Sequence, residues 1–206
     1  MKLPEKTVER LSEYRRTLLE CLATGKTHIY SHELARLHNI TAVQVRRDLM
    51  LIGYSSMKKK GYDASELIDV IGKLIDSKNG LNIAVIGMGN LGRAVTTYFI
   101  GKRPKLNIVA AFDIDPNKIN RVISGINCYH IKDLKEKIKS SSISIAIITS
   151  PPDSAAAIAE TLVMSGIKGI LNFTTTPLNV PESIFLEEYD MITSIEKVAY
   201  FVKEQN

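Results

Sequence analysis

Three glycines, at residues 87, 89 and 92, stand in the one motif of this sequence that points directly to a ligand, the run Gly87-Met88-Gly89-Asn90-Leu91-Gly92. The run follows the apolar segment 81–86 and precedes a stretch with helical pattern, expected over Arg93–Ile100. In that setting the glycines permit a tight turn, let the backbone approach a pyrophosphate and face the helix N-terminus towards the phosphates. GxGxxG alone is weak evidence, because a glycine-rich turn need not hold a ligand, but its place between strand and helix favours a dinucleotide site.

Asp113 ends the next apolar run, about 20 residues after the last glycine. A carboxylate at that point accepts hydrogen bonds from the adenosine ribose and repels a 2′-phosphate. No arginine stands near Asp113 in the sequence to reverse this preference. We therefore expect NAD, as NAD+ or NADH, rather than NADP.

The elements that would position these residues follow an alternating pattern from Leu81 onward. Short apolar runs separated by helical stretches are typical of buried parallel strands joined by crossover helices. The candidate strands are LNIAVI, NIVAAF, SISIAII and IKGILNF, with INCYH and YDMIT as weaker candidates. The pattern predicts an α/β Rossmann domain over residues 80–206.

The N-terminal part predicts a different domain, over residues 1–79. Apolar spacing and capping residues indicate helices over Pro4–Ala23, Ser31–His38 and from Thr41 to the turn at Gly53, with a short extended piece at 28–30. The next residues, YSSMKKKGY, can form a basic hairpin that closes at Gly61, and a further helix from Asp63 to about Asp76 leads to the break SKNG. Helix, turn, helix and wing together predict a winged-helix DNA-binding domain.

Charge supports a polyanion partner for this first domain. The chain has a formal net charge of +5, and between Thr41 and Tyr62 the cations Arg46, Arg47, Lys58, Lys59 and Lys60 face only Asp48. A local basic stripe of this kind is typical of nucleic-acid binding. The lysine run by itself is more often a solvated charged face, so the arginines carry more of the argument.

Several other functions are disfavoured. Fewer than 60 residues follow SISIAII, which leaves no room for a substrate domain, and the four histidines have neither triad nor metal spacing. We expect no catalytic residue and no bound metal. The start MKLPEKTVER and the absence of an apolar span of about 20 residues favour a cytoplasmic protein without membrane contact. An NAD-dependent oxidoreductase and a Rossmann interaction module that does not bind DNA remain alternatives.

The sequence resembles the Rex family of redox-sensing transcriptional repressors almost from end to end. The segments that carry the resemblance are LPEKTVERLSEYRR, TAVQVRRDL, GYDASELI, GMGNLGRAV, AFDIDPNKI and GIKGILNFTTTPLNVPE. Membership implies a homodimer whose C-terminal helix, here Ser194–Val202, exchanges onto the partner. It also implies repression through double-stranded operator DNA, with release when NADH binds, in response to the NADH/NAD ratio.

The resemblance assigns roles to residues of this chain. The recognition helix corresponds to residues 41–50, and Arg46 or Arg47 can contact guanine edges or phosphates, between which the sequence does not decide. The residues implied for DNA contact are Ser31, Thr41, Gln44, Arg46, Arg47, Lys58, Lys59 and Lys60. Those implied for the cofactor are Gly87 to Gly92, Asp113, Ile114, Thr149, Ser150, Pro151, Asn172 and Phe173. Tyr98 and Asp190 fall where the family couples its subunits.

Two segments depart from the family pattern. The wing GYSSMKKKGY keeps Gly53, Gly61 and Tyr62 but places Ser56 and Lys59 where glycines are expected. Lost glycines restrict the turn and added lysines strengthen phosphate contact, so the operator preference of this chain can differ. The last helix, SIEKVAYFV, replaces a more acidic, leucine-rich form.

Overall fold

The computed structural model describes residues 3–55 and 60–204 and divides the chain into two compact units, Met1–Ser77 and Lys78–Asn206. Within the described part, no helix is both long and apolar enough to cross a membrane.

The first unit is a small helical domain with one two-stranded ribbon. Its elements are α1 (Glu5–Ala23), β1 (His28–Ile29), α2 (Ser31–Leu37), α3 (Ala42–Leu51), β2 (Tyr62–Asp63) and α4 (Ala64–Ile75). Strands β1 and β2 pair antiparallel. The core is formed by apolar side chains at helical spacing from all four helices, among them Leu11, Leu18, Leu34, Val45, Leu49, Leu67 and Ile71. Their burial fixes α2 and α3 as a helix-turn-helix pair against α1 and α4.

The helix starts in the first unit are close to the predicted ones. Thr41 caps α3 as predicted, since its hydroxyl accepts the backbone N–H of Gln44 at 3.1 Å. The Gln44 amide donates to the Asp48 carboxylate at 2.9 Å. Ser31 is the first residue of α2, and Tyr30 occupies the N-cap position. At this helix start the Glu33 carboxylate accepts the backbone N–H of Tyr30 at 2.8 Å.

The predicted wing lies partly outside the described residues, at positions 56–59. Its far end is described: Tyr62 pairs with Ile29, and Gly61 has a φ of +88°. A Cβ at Gly61 would lie 2.8 Å from the Ile29 carbonyl oxygen, so this close approach of two backbones requires glycine. The ribbon therefore joins β2 to the segment before α2.

The second unit is a seven-stranded sheet in the order β5-β6-β4-β3-β7-β8-β9. The strands are β3 (Leu81–Ile86), β4 (Leu106–Asp113), β5 (Arg121–Ile123), β6 (Ile126–His130), β7 (Ile143–Ile148), β8 (Gly169–Asn172) and β9 (Phe185–Glu188). All neighbours are parallel except β5 and β6. The helices are α5 (Asn90–Phe99), α6 (Leu134–Ser140), α7 (Pro152–Met164) and α8 (Met191–Lys203), with a 3₁₀ turn at Ile131–Asp133.

Apolar clusters cover both faces of the central strands, which is why these strands read as unbroken apolar runs. The four main predicted strands and the weaker INCYH candidate correspond to β3, β4, β7, β8 and β6. The strand predicted at YDMIT is wrong: the strand lies earlier, at Phe185–Glu188, and Asp190 instead caps α8. Strand β5 was not predicted, and α5 starts at Asn90, inside the glycine motif.

Candidate functional site

A pocket of about 770 Å³ opens at the carboxyl ends of β3, β4 and β7 in the second unit. This edge is where parallel α/β sheets bind ligands, at the point where successive crossovers diverge. Predicted cofactor residues that line the pocket are Gly87, Gly89, Asn90, Leu91, Asp113, Ile114, Thr149, Ser150 and Pro151. Apolar side chains from the 3₁₀ turn and from α6 and α7 complete the wall, including Ile131, Leu134, Ala157 and Ile158.

The surroundings of the three loop glycines differ, so a side chain at each position would have a different consequence. Gly87 has a φ of +98°, and a Cβ there would lie 2.8 Å from the backbone nitrogen of Ser150. A Cβ on Gly92 would collide with the carbonyl oxygen of Gly87 and lie 2.9 Å from the Thr149 hydroxyl. A Cβ on Gly89 would meet no protein atom within 4 Å. The outer glycines are therefore required by packing, and the middle one leaves open space at the N-terminus of α5.

Thr149 fixes the loop against the end of β7. Its hydroxyl donates to the carbonyl oxygen of Gly87 at 2.7 Å, and its backbone N–H donates to Ile86 at 2.8 Å. Met88 is fully buried beneath the loop. The turn is thus held in place from below while its outer side faces the pocket.

Asp113 is the most heavily bonded carboxylate of the pocket. One oxygen accepts the backbone N–H of Met88 at 2.8 Å and the Lys118 ammonium at 2.9 Å. The other accepts the backbone N–H groups of Ile114 at 2.8 Å and Asp115 at 2.9 Å. Asp113 therefore ties the glycine loop to the turn that follows β4.

These bonds settle the charge of the carboxylate. Burial alone raises the pKa of Asp113, but the bonds from Asp115, Lys118 and Met88 outweigh it and hold that pKa below its ordinary value. Asp113 is consequently ionised at neutral pH. Burial, together with this nearby negative charge, raises the pKa of the Cys128 thiol, which fits a packed apolar role for that cysteine.

Lys118 is a pocket residue that the sequence reasoning missed. Its ammonium contacts Asp113 and lies 3.6 Å from Asp115. The available signal was a lysine five residues after the acid, at the end of the turn Asp115–Lys118, which folds back over the strand end.

Asn172 and Phe173 do not line the pocket. Asn172 is fully buried at the end of β8, where its amide donates to Thr176 and its oxygen accepts from Thr174. The Phe173 ring packs against Tyr189 at a centroid distance of 5.2 Å. Both side chains pack beneath the loop that follows β8 rather than facing the pocket.

In the first unit, a buried ion pair anchors α3 to α1. The Asp48 side chain is fully buried and accepts two hydrogen bonds from Arg10, at 2.6 and 2.7 Å. It also accepts the Tyr14 hydroxyl at 2.9 Å and the Gln44 amide at 2.9 Å. Burial alone raises the pKa of Asp48, but these donors lower it below its ordinary value. Gln44, expected to contact DNA, is directed into this network.

The remaining predicted DNA-contact residues lie at the surface of the helix-turn-helix pair. Arg46 and Arg47 are exposed, and the Arg46 guanidinium donates to the Ser31 hydroxyl at 3.2 Å. Lys60 is exposed as well, whereas Lys58 and Lys59 lie outside the described residues. Arg46 and Ser31 thereby bring the start of α2 and the outer face of α3 together.

Tyr98 and Asp190 occupy separate places in the second unit. Tyr98 is exposed on α5, with the Lys102 ammonium 3.5 Å from its ring centroid. Asp190 caps α8 by accepting the backbone N–H of Ile192 at 2.8 Å and the Thr193 hydroxyl at 2.6 Å. Every residue of α8 is exposed, including the apolar side chains of Met191, Ile192, Ile195, Val198, Phe201 and Val202.

Among residues 3–55 and 60–204, no group of three or more histidine, cysteine, aspartate or glutamate side chains could hold a metal ion.

Comparison with known proteins decides the family. Residues 2–49 match the family described as "Putative DNA-binding protein N-terminus", and residues 78–176 match "CoA binding domain". The chain is 37% identical over 202 residues to the redox-sensing transcriptional repressor Rex of Anoxybacillus flavithermus, covering 98% of this chain and 95% of the relative. It is 34% identical to the Rex of Listeria monocytogenes, covering 98% and 94%. This chain belongs to the Rex family of redox-sensing transcriptional repressors.

Solved Rex structures have the same fold as this chain. The Rex-family repressor RSP matches with a TM-score of 0.85 and 30% identity, covering all of this chain and 96% of RSP. RSP in complex with β-NAD+ and operator DNA matches with a TM-score of 0.90 and 31% identity, covering 100% and 94%. RSP with β-NADH matches at 0.86 and 30%, covering 100% and 96%. The predicted pairing of a DNA-binding fold with a Rossmann fold is confirmed.

The same comparison decides between the alternatives left open by the sequence. The Rex relatives are named as transcriptional repressors, so this chain is a regulator rather than an enzyme. The expectation of a redox-sensing transcriptional repressor is confirmed.

Proposed function

We propose that this Rex protein represses transcription by binding operator DNA through residues 1–79 and releases the DNA when NADH binds residues 80–206. The observation that carries the proposal is the glycine-loop pocket with its ionised Asp113, in one chain with a helix-turn-helix pair that exposes Arg46 and Arg47. We further propose that it acts in the cytoplasm as a homodimer.

The pocket supports NAD(H) as the ligand. The open space beside Gly89 at the start of α5 suits a pyrophosphate, because unpaired N–H groups and the helix dipole favour negative charge there. Asp113 lies where the adenosine ribose is expected, and the apolar wall around Ile131 and Ile158 suits the adenine ring. When the nucleotide enters, the ribose hydroxyls must replace part of the contact that Lys118 makes with the Asp113 carboxylate.

The DNA-binding role is assigned to the outer face of α3. Arg46 and Arg47 are exposed on a helix whose inner face is anchored by the Asp48 network, so both cations face solvent. Ser31 and the cap residue Thr41 lie at helix starts, where backbone N–H groups suit phosphate oxygens. Gln44 serves in the proposal as a positioning residue for Asp48.

Helix α8 supports the homodimer. A helix with this many exposed apolar side chains must bury them against another surface. In the proposal, α8 exchanges between two copies, and Tyr98 and Asp190 contribute to their coupling. Two-fold symmetry then presents two α3 helices to two half-sites. NADH releases DNA only if it binds the DNA-incompetent arrangement of the dimer more tightly.

The test is a duplex titration. Operators are selected from a library of genomic fragments, and the best duplex is titrated with the protein alone, with NADH and with NAD+. We expect tight binding that NADH weakens strongly and NAD+ weakens little. Failure to select any duplex would overturn the DNA-binding role. Selection of a duplex whose binding ignores NADH would overturn the sensing role.

A further inference from the structure

A row of cations lies along the amino edge of the parallel sheet, the edge opposite the nucleotide pocket. Lys105 immediately precedes β4 and Lys168 immediately precedes β8. Lys78 stands in the loop that leads into β3, and Lys139 lies in the last turn of α6, just before the loop that leads into β7. All four side chains are exposed. Because β4, β3, β7 and β8 are consecutive neighbours, the four loops follow one another across the sheet.

Contacts between the loops confirm that they lie side by side. The Lys105 ammonium donates to the carbonyl oxygen of Lys78 at 2.9 Å. The Asn82 amide at the start of β3 donates to Ser141, in the loop after Lys139, at 2.8 Å. The backbone N–H of Lys168 donates to Ser144 at 2.9 Å. With strands about 4.8 Å apart, the row spans roughly 15 Å.

The row has little negative charge to balance it. No aspartate or glutamate occurs between residues 77 and 112, a stretch that also contains Lys102 and Arg103 in the loop before β4. Residues 139–142, at the end of α6 and in the loop after it, and residues 165–168 contain no carboxylate either. The nearest acidic residues in the adjoining loops are Asp76, which pairs with Arg15 at 2.7 Å, and Glu182 before β9. We call this surface, Lys78, Lys102, Arg103, Lys105, Lys139 and Lys168, the basic edge.

We propose that the basic edge binds the phosphate backbone of duplex DNA, as a second, sequence-independent contact beside that of α3. The proposal rests on the DNA-binding function proposed above. A linear array of exposed ammonium groups without base-reading side chains fits a regular row of phosphates, which attracts cations regardless of sequence. The chain enters the second unit at this edge, through Lys78.

The opposite placement of the pocket makes the two sites separable. Residues of the pocket stand at the carboxyl ends of β3, β4 and β7, whereas the basic edge precedes the same strands. Neutralising the basic edge should therefore leave NADH affinity unchanged. This separation provides a readout that a general loss of folding would not reproduce.

The test compares the intact full-length protein with the triple variant Lys78→Gln/Lys139→Gln/Lys168→Gln. A matched control, Arg121→Gln/Lys132→Gln/Lys135→Gln, removes three exposed cations away from this edge. Binding to a synthetic duplex of mixed sequence and to the selected operator duplex is measured between about 50 and 200 mM salt. NADH binding is measured in parallel.

We expect the plot of log affinity against log salt concentration to become less steep by about 0.9 for each lysine that neutralises a phosphate. Affinity for both duplexes should fall by the same factor, so the preference for the operator is unchanged, and the control should behave as the unaltered protein does. The proposal is overturned if the triple variant keeps the salt slope and the duplex affinity of the unaltered protein. It is also overturned if the control variant loses as much duplex affinity as the triple variant does. If the unaltered protein binds neither duplex, the proposed function itself fails.

Discussion

The ammonium group of Lys118 lies 2.9 Å from a carboxylate oxygen of Asp113, inside the pocket where the adenosine ribose is expected. The two groups have opposite electrostatic effects on a phosphate bound at the ribose 2′ position. The carboxylate repels a 2′-phosphate, and the lysine reduces that repulsion. Discrimination between NADH and NADPH therefore depends on both residues.

Lys118→Met should strengthen the discrimination against NADPH. With the ammonium removed, Asp113 keeps three backbone donors and stays ionised, but its field is less compensated. We expect the affinity for NADPH relative to NADH to fall about five- to tenfold, which corresponds to ~1 to 1.4 kcal/mol. Asp113→Ala should shift the same ratio the opposite way. Calorimetric titration with both nucleotides measures the ratio, and a Lys118→Met ratio that is unchanged or higher contradicts the electrostatic account.

Alanine at Gly89 and at Gly92 should have different consequences. At Gly92 the added methyl group collides with the Gly87 carbonyl, so the loop must shift and the second unit loses stability as well as NADH binding. At Gly89 the methyl group enters open space, so the unfolding temperature should stay near that of the unaltered protein while NADH affinity falls at least tenfold. Differential scanning calorimetry combined with NADH titration separates the two. Undiminished NADH affinity in Gly89→Ala would place the pyrophosphate elsewhere.

Arg46→Ala and Arg47→Ala should weaken operator binding without changing NADH affinity, because the side chains belong to the first unit. A base-edge contact costs about 1 to 3 kcal/mol and relaxes preference at one base position, whereas a phosphate contact lowers affinity for every duplex and flattens the salt dependence. Titrations against single-base operator variants distinguish these patterns. Full operator affinity in both variants would remove α3 from the DNA interface.

Asp48→Asn should destabilise the first unit by about 3 kcal/mol at neutral pH, since it leaves the partly buried Arg10 without its charged partner. The effect depends on pH with a defined sign. The pKa of Asp48 is lowered by folding, so its carboxylate contributes stability above its ordinary pKa of 3.8, and that contribution is lost as the pH falls through the lower folded-state value. The difference in unfolding free energy between the two proteins should therefore shrink below about pH 3.8. Denaturant titrations at several pH values measure this difference in unfolding free energy. A difference that does not change with pH would show that the charge of Asp48 does not stabilise the first unit.

The sequence predicted the sheet better than the details of the pocket. Strands β3, β4, β7 and β8 are buried on both faces, and such runs are apolar without interruption, which makes them visible in the sequence. Strand β5, three residues long at the sheet edge, has two exposed residues and carries no such pattern. The prediction of a strand at YDMIT was wrong because Met191 and Ile192 begin helix α8, where their apolar side chains are exposed.

Three side-chain contacts of the candidate site were not predicted from the sequence, for a common reason. The contact of Lys118 with Asp113 is made when the chain turns after β4, and Gln44 reaches Asp48 because α3 packs on α1. Asn172 ends β8, and its amide donates to Thr176 in the loop that follows the strand. Motif spacing gives the position of a residue along the chain, whereas the direction of its side chain is decided by packing partners distant in sequence.

The most direct test of NADH-controlled repression holds total nucleotide constant and varies the NADH/NAD+ ratio. The fraction of operator duplex bound by the full-length protein is measured by fluorescence anisotropy at each ratio. The account predicts that this fraction falls progressively as the ratio rises, and that Gly89→Ala, with its impaired pocket, stays bound throughout. A bound fraction that depends on total nucleotide alone, or on neither nucleotide, would contradict it.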